Sequence, residues 1–128
     1  MKINAQISYG ELIDKITILK IKKLKIKDKS KVTNINNELK ILLKIKFKAK
    51  INRRELNKLE KKLAFINIRL WNAEDRLRKL EGKKQFNKYF IHLARSVYKL
   101  NDLRSGIKSS INLISNSSII EEKSYEKY

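Results

Sequence analysis

The sequence predicts an all-α chain, a three- to four-helix bundle built on a long antiparallel helical hairpin. Two stretches lead to this reading. Leu56, Leu59, Leu63, Ile66, Leu70, Ala73, Leu77 and Leu80 recur at alternating intervals of three and four residues, the seam of a long helix. Phe90, Leu93, Val97, Leu100, Arg104, Ile107, Ile111 and Ile114 repeat the pattern. The third observation is their mirror relation: a chain that doubles back over Gly82–Gln85 sets Leu70 level with Leu100 and Leu56 level with Ile114. The 128 residues form one domain on this reading, and the chain contains no proline to break either rod.

The elements follow in order. Residues 1–9 alternate apolar and polar (Ile3, Ala5, Ile7, Tyr9), the period of a strand, and with no ladder partner in view they form an extended arm. Ser8 and Glu11 have capping-box spacing, which starts a first helix that runs to about Lys27. Asp28-Lys-Ser30 breaks it, and Val32, Ile35, Leu39 and Leu42 mark a second helix. Residues 43–51 alternate lysine with apolar residues and read as a helix end plus connection, with a strand as the alternative. Asn52 and Glu55 have capping spacing for the long helix, so residues 10–81 hold the first helices and the long hairpin helix. Gly82 supplies its stop. Asn87 caps the last long helix, residues 86–115, with Phe86 and Ile91 as the staple. Ser118 and Glu121 have the spacing to cap a short C-terminal helix within residues 118–128.

Composition removes whole classes of function. No cysteine means no disulfide, no thiol nucleophile and no zinc knuckle. A single histidine, His92, leaves no His-rich metal site and no serine–histidine catalytic set, so neither a metal nor a cofactor is expected. No apolar run approaches the roughly 18 residues of a membrane span. Glu11 and Asp14 fall where a signal peptide needs an apolar stretch, so the chain reads as cytoplasmic.

The charge is large: 32 Lys+Arg against 13 Asp+Glu, a net +19. It is mostly lysine, and Lys, Ile and Asn share AT-rich codons, so the total alone does not require an anionic partner. Its placement is more telling, because residues 20–62 carry +13 and residues 1–19 none. Nucleic-acid binding through residues 20–62 is therefore one reading, although Phe47 is the lone aromatic there and offers little for base stacking.

Labelling the seam a and d places the flanking b and e residues of both rods on one side of the hairpin. That side carries Asn67, Trp71, Glu74, Tyr98, Asn101, Lys108 and Asn112, next to the one polar residue of the seam, Arg104. The first two helices should cover it, and polar groups buried there must find partners in one another or in a ligand. A small anionic ligand held by Arg104 and Lys108 is the sharper reading, with Glu74 as the candidate general base. A structural network is the plainer one. The acidic tail, with Glu121, Glu122 and Tyr125, and the start of the first helix, with Ser8, Glu11 and Asp14, are candidate partner contacts.

Four motifs together resemble a small uncharacterised family of bacterial and phage proteins, DUF6165. They are Ser8-Tyr-Gly-Glu-Leu-Ile-Asp-Lys-Ile-Thr-Ile-Leu19, Leu70-Trp-Asn-Ala-Glu-Asp75, Leu93-Ala-Arg-Ser-Val-Tyr98 with Asn101-Asp-Leu-Arg104, and Ile120-Glu-Glu-Lys-Ser-Tyr125. The resemblance implies no assigned activity. It does imply an association with glycosyltransferases and surface-polysaccharide assembly. It also directs attention to Asp75, Arg95 and Asp102 on the outer face as a second polar cluster. The leading expectation is a helical interaction or adaptor module with a protein partner or a second copy of itself. Small-anion binding and nucleic-acid binding are the alternatives.

Overall fold

The computed structural model describes residues 1–51 and 53–128 and contains four helices: α1 (Tyr9–Lys25), α2 (Lys29–Ala49), α3 (Arg54–Gly82) and α4 (Lys88–Ile114). The all-α fold and the hairpin are as the seam spacing implies. Leu70 and Leu100 share one buried cluster with Ile66, and Leu63, Ile111 and Leu56 share another. None of the described helices is long and apolar enough to cross a membrane.

The hairpin alone would leave one long flank open, and α1 closes it. Ile13 joins the Leu56–Leu63–Ile111 cluster, while Leu12, Ile16 and Leu19 turn the other way and pack on Ile35 and Leu39 of α2. Helix α1 is thus the middle layer, buried on two apolar faces. Only α1, not α1 and α2 together, covers the hairpin; α2 packs on the outer side of α1. The layering shows in the burial: α1 buries residues around most of its girth, whereas α2 buries only Ile35 and Leu39 and leaves Ile41, Leu43, Ile45 and Phe47 exposed. Beyond the end of α1 no third helix lies on the hairpin, and seam residues such as Leu77, Leu80 and Leu93 are only half-buried.

Helix ends explain the boundaries. The Ser8 hydroxyl accepts the Glu11 amide at 3.0 Å, Asp28 accepts the Lys31 amide at 2.9 Å, and Asn87 accepts the Phe90 amide at 3.0 Å. Helix α1 has already ended at Lys25, with Ile26 as its C-cap, and Asp28 starts the next. The expected Asn52 cap lies outside the described residues; α3 starts at Arg54 without a side-chain cap from Arg53. Gly82 does not make the hairpin's left-handed stop, because it is still the last residue of α3. The left-handed residue is Lys84 (φ 56°), where Gln85 N–H donates to the Leu80 carbonyl at 2.9 Å. The staple at the start of α4 pairs Phe86 with Phe90, rings 5.3 Å apart, rather than with Ile91.

The alternating stretch from Leu43 is the helix end plus connection that its pattern suggested, helical through Ala49 and leaving the helix at Lys50, and the strand alternative falls away. One further expectation is corrected. The tail 118–128 holds no helix: Glu121 is tied to Ser8 and Lys108 instead of folding back onto Ser118. Residues 1–8 stay outside the helices as an arm, in no sheet.

Candidate functional site

Four polar residues of the hairpin flank converge because the seam puts them on one face: Asn67 on α3, and Arg104, Lys108 and Asn112 on α4. Facing them, α1 presents Gly10, Glu11, Asp14 and Thr17. Asp14 is the hub. Its carboxylate accepts from Asn67 Nδ2 at 2.8 Å and from Arg104 Nε at 3.0 Å, with a second short bond from Arg104 Nη2. Asn67 also donates to the Thr17 hydroxyl at 2.8 Å, and that hydroxyl donates to the Asp14 carbonyl. Lys108 Nζ donates to Glu11 at 2.6 Å and to Glu121 at 3.3 Å, and stands 3.8 Å from Asp14.

The Lys108–Glu121 contact joins the tail to the helices. Glu121 also accepts from the Ser8 hydroxyl at 2.8 Å, so the cap of α1, the middle of α4 and the tail meet at one point. At the lower end the Gly10 amide donates to Asn112 Oδ1 at 2.6 Å. A Cβ on residue 10 would lie 2.7 Å from both that oxygen and the Lys108 carbonyl oxygen, so only glycine permits this approach of α1 to α4.

The electrostatics are those of mutual neutralisation. Three carboxylates (Glu11, Asp14, Glu121) meet two cations (Arg104, Lys108), and Lys15 at 3.7 Å from Glu11 supplies a third. The hydrogen bond to Asp14 raises the Arg104 guanidinium above its ordinary value. Burial pushes the Lys108 ammonium down, but the bond to Glu11 and the charges of Asp14, Glu11 and Glu121 outweigh it and hold the group high. Among the described residues no buried side-chain nitrogen or oxygen lacks a partner.

The sequence candidates therefore separate. Asn67, Asn101, Arg104, Lys108 and Asn112 do come together, Asn101 accepting a long 3.4 Å bond from Arg104. The Arg104 head points into this polar centre rather than out to water. Ser8, Glu11, Asp14 and Glu121, expected as partner contacts, are spent inside the molecule; Ser8 and Asp14 are each 1% exposed. Glu122 and Tyr125 are exposed. Trp71 and Glu74 line a groove of about 520 Å³ that borders the Asp14 hub and shares Asn67, Asn101 and Arg104 with it, and Glu74 accepts from Arg78 at 2.7 Å. Tyr98 leaves that side altogether and stacks edge-on with Tyr128, 5.0 Å between centroids. Asp75, Arg95 and Asp102 do not gather: Asp75 pairs with Lys79 and Asp102 accepts the Tyr128 hydroxyl at 2.7 Å.

Gly10 and Thr17 were absent from the sequence candidates. Their signal was the spacing Gly10, Asp14, Thr17, Ile21, a small and polar stripe opposite the polar stripe of the hairpin.

The motifs that carry the earlier resemblance thus contain the interlocking residues: Ser8, Gly10, Glu11, Asp14 and Thr17 in the first, Arg104 in the third and Glu121 in the last. Over residues 1–128 the chain matches the family of unknown function DUF6165. It belongs to that family. No curated protein and no solved structure matches it. Within a DUF6165 chain, the first and last motifs are explained by one physical task, the closing of α1 and the tail onto the hairpin.

Proposed function

We propose that the protein is a helical interaction module, a non-catalytic adaptor whose rigid body is the α3–α4 hairpin locked by α1. The observation that carries this reading is the internal use of the chain's best chemistry. Asp14, Arg104, Lys108, Glu11 and Glu121 satisfy one another. A general base or an anion receptor needs a group with capacity left over, and here the capacity is consumed in holding segments together. What is left for recognition is the surface. By the resemblance, an enzyme of glycan or surface-polysaccharide assembly is the class of partner to look for first.

The test is affinity purification of the chromosomally tagged protein from its host, under native salt. A protein that co-purifies in constant ratio, and that retrieves this chain when itself tagged, is the expected result. Recovery of the chain alone, monomeric, overturns the reading.

A second reading, small-anion binding, has one observation in its favour: Asn67, Trp71, Glu74, Asn101 and Arg104 line the same groove. It requires Arg104 to share itself between Asp14 and a ligand. Thermal shifts with small carboxylates and phosphates that vanish in Arg104→Ala would support it over the adaptor; shifts unchanged in that variant would end it.

A further inference from the structure

Helix α2 carries features the fold does not use. Leu39 is buried against α1, but the same four-residue stripe continues through Leu43 and Phe47 toward Ile51, growing more exposed until Phe47 is 83% open to solvent. These four residues form the floor of an open groove of about 1270 Å³ that runs along α2 to the start of α3. Such a stripe of large apolar side chains on a surface marks a contact surface.

The walls of the groove are cationic. Lys40, Lys44 and Lys48 form a rail at four-residue intervals along α2, and Lys23, Lys46 and Lys50 also line the groove. Lys46 is neutralised by Glu60 at 2.7 Å; no carboxylate lines the groove among the described residues. Like charges four residues apart on a helix destabilise it by a few tenths of a kcal/mol per pair, so the rail at 40, 44 and 48 works against α2 rather than for it. The fold gains nothing from the arrangement.

We propose that this groove binds an acidic amphipathic helix of a partner protein. The inference rests on the interaction-module reading and names the surface and the chemistry of the partner. Apolar residues at four-residue intervals meet the equivalent ridge of a second helix, as in ordinary helix–helix packing. Glutamates or aspartates flanking that ridge meet the lysines that line the groove. A nucleic acid has no use for an apolar floor, and the walls present lysine without a single arginine. A bilayer is flat, whereas the stripe lies in a trough between α2 and the start of α3. The groove fits a rod.

A designed peptide of roughly 18 residues, long enough to hold a helix when stapled, tests this with leucine at i, i+4, i+7 and i+11 and glutamate on both sides. Amide chemical shifts of the full-length protein report where it binds. The expected result is saturable binding with shifts confined to the groove, at Lys23, residues 36–51 and Asn57. Phe47→Asp and the pair Lys44→Glu/Lys48→Glu should each weaken it at least about tenfold. Both change exposed residues, and an unchanged helical circular dichroism spectrum verifies their fold. Phe65→Ala, on the opposite flank of the hairpin, should leave affinity as it was.

Several results overturn the proposal. They are equal binding of a scrambled peptide of the same composition, equal binding of a lysine-for-glutamate peptide, or shifts that fall elsewhere. Tighter binding through the same residues by phosphatidylglycerol vesicles or duplex DNA assigns the groove to those partners instead. Self-association of the free protein abolished by Phe47→Asp assigns it to a second copy. A host partner that co-purifies equally well with Phe47→Asp rejects this groove while leaving the adaptor reading intact; the absence of any host partner rejects the adaptor reading itself.

Discussion

Asp14 of α1 and Arg104 of α4, ninety residues apart in the chain, meet in a two-pronged ion pair whose carboxylate is 1% exposed. The arginine side chain keeps 29% of its own surface in contact with solvent, so the pair is sealed on the acid's side. Losing the acid strands Arg104 and Asn67; losing the arginine strands a buried carboxylate. Asp14→Ala should therefore destabilise by about 3 kcal/mol in urea unfolding. The double change Asp14→Leu/Arg104→Met should recover part of that loss, because it removes the stranded cation and leaves Asn67 its bond to Thr17. A double change that costs the sum of the two single changes would mean the pair is not coupled.

Gly10 sets the separation of α1 from α4. Alanine there gains helix propensity of roughly 0.5–1 kcal/mol but meets two oxygens at 2.7 Å, one of them the Lys108 backbone carbonyl, which cannot rotate away. Overpacking of that kind costs about 1–3 kcal/mol. The clash wins: Gly10→Ala should lower the melting temperature by several degrees and loosen the Glu11 and Asp14 contacts next to it. Asn112→Ala should rescue only part of the loss, since the carbonyl stays where it is. Full rescue in that double variant would place the strain on the Asn112 amide alone.

At the hairpin turn the left-handed residue is Lys84, at φ 56°. A side chain in that region costs about 1 kcal/mol relative to glycine. Among the described residues Lys84 makes no side-chain bond that would offset it, so Lys84→Gly should stabilise the protein by about 0.5–1 kcal/mol. The neighbouring change Lys83→Gly, at a right-handed position, should destabilise slightly. Denaturation midpoints of the two variants moving in opposite directions would confirm the assignment of the turn.

The hairpin was legible because one physical rule governs it: two rods that bury a seam repeat apolar residues at three and four, and the mirror register of Leu70 with Leu100 follows. The partners of the polar flank were harder to see. Arg104 breaks the apolar series, so its need for a carboxylate was plain, but Asp14 sits among Leu12, Ile13 and Ile16 on a helix apolar nearly all round. No periodicity marks which of its faces takes which neighbour. Charge matching would have done so, because Glu11 and Asp14 are the sole acids in residues 1–19 and Arg104 and Lys108 share their spacing within one residue. The tail misled for a related reason. Ser118 and Glu121 have the spacing of a cap, but a partner 113 residues away, Ser8, takes Glu121, and a long-range contact overrides a local one.

The tail's attachment should depend on pH. Burial alone would push the Glu121 carboxyl up; the Ser8 hydroxyl and the Lys108 ammonium outweigh it and hold the group below the ordinary 4.5. A folded value below the unfolded one means that docking favours the charged form. That contribution is complete above the unfolded value and is lost as pH falls through the folded one. Lys108 has the opposite sign: its value lies above 10.5, so its share is complete below 10.5 and lost as pH rises through the folded value. The tail should stay docked across the neutral range and release on acidification, with the Ser117 and Glu121 amides shifting together while the helical signal persists. In Glu121→Gln this acid step should disappear, and the same amides should already occupy their released positions at neutral pH. An acid step retained in Glu121→Gln would rule out Glu121 as its source.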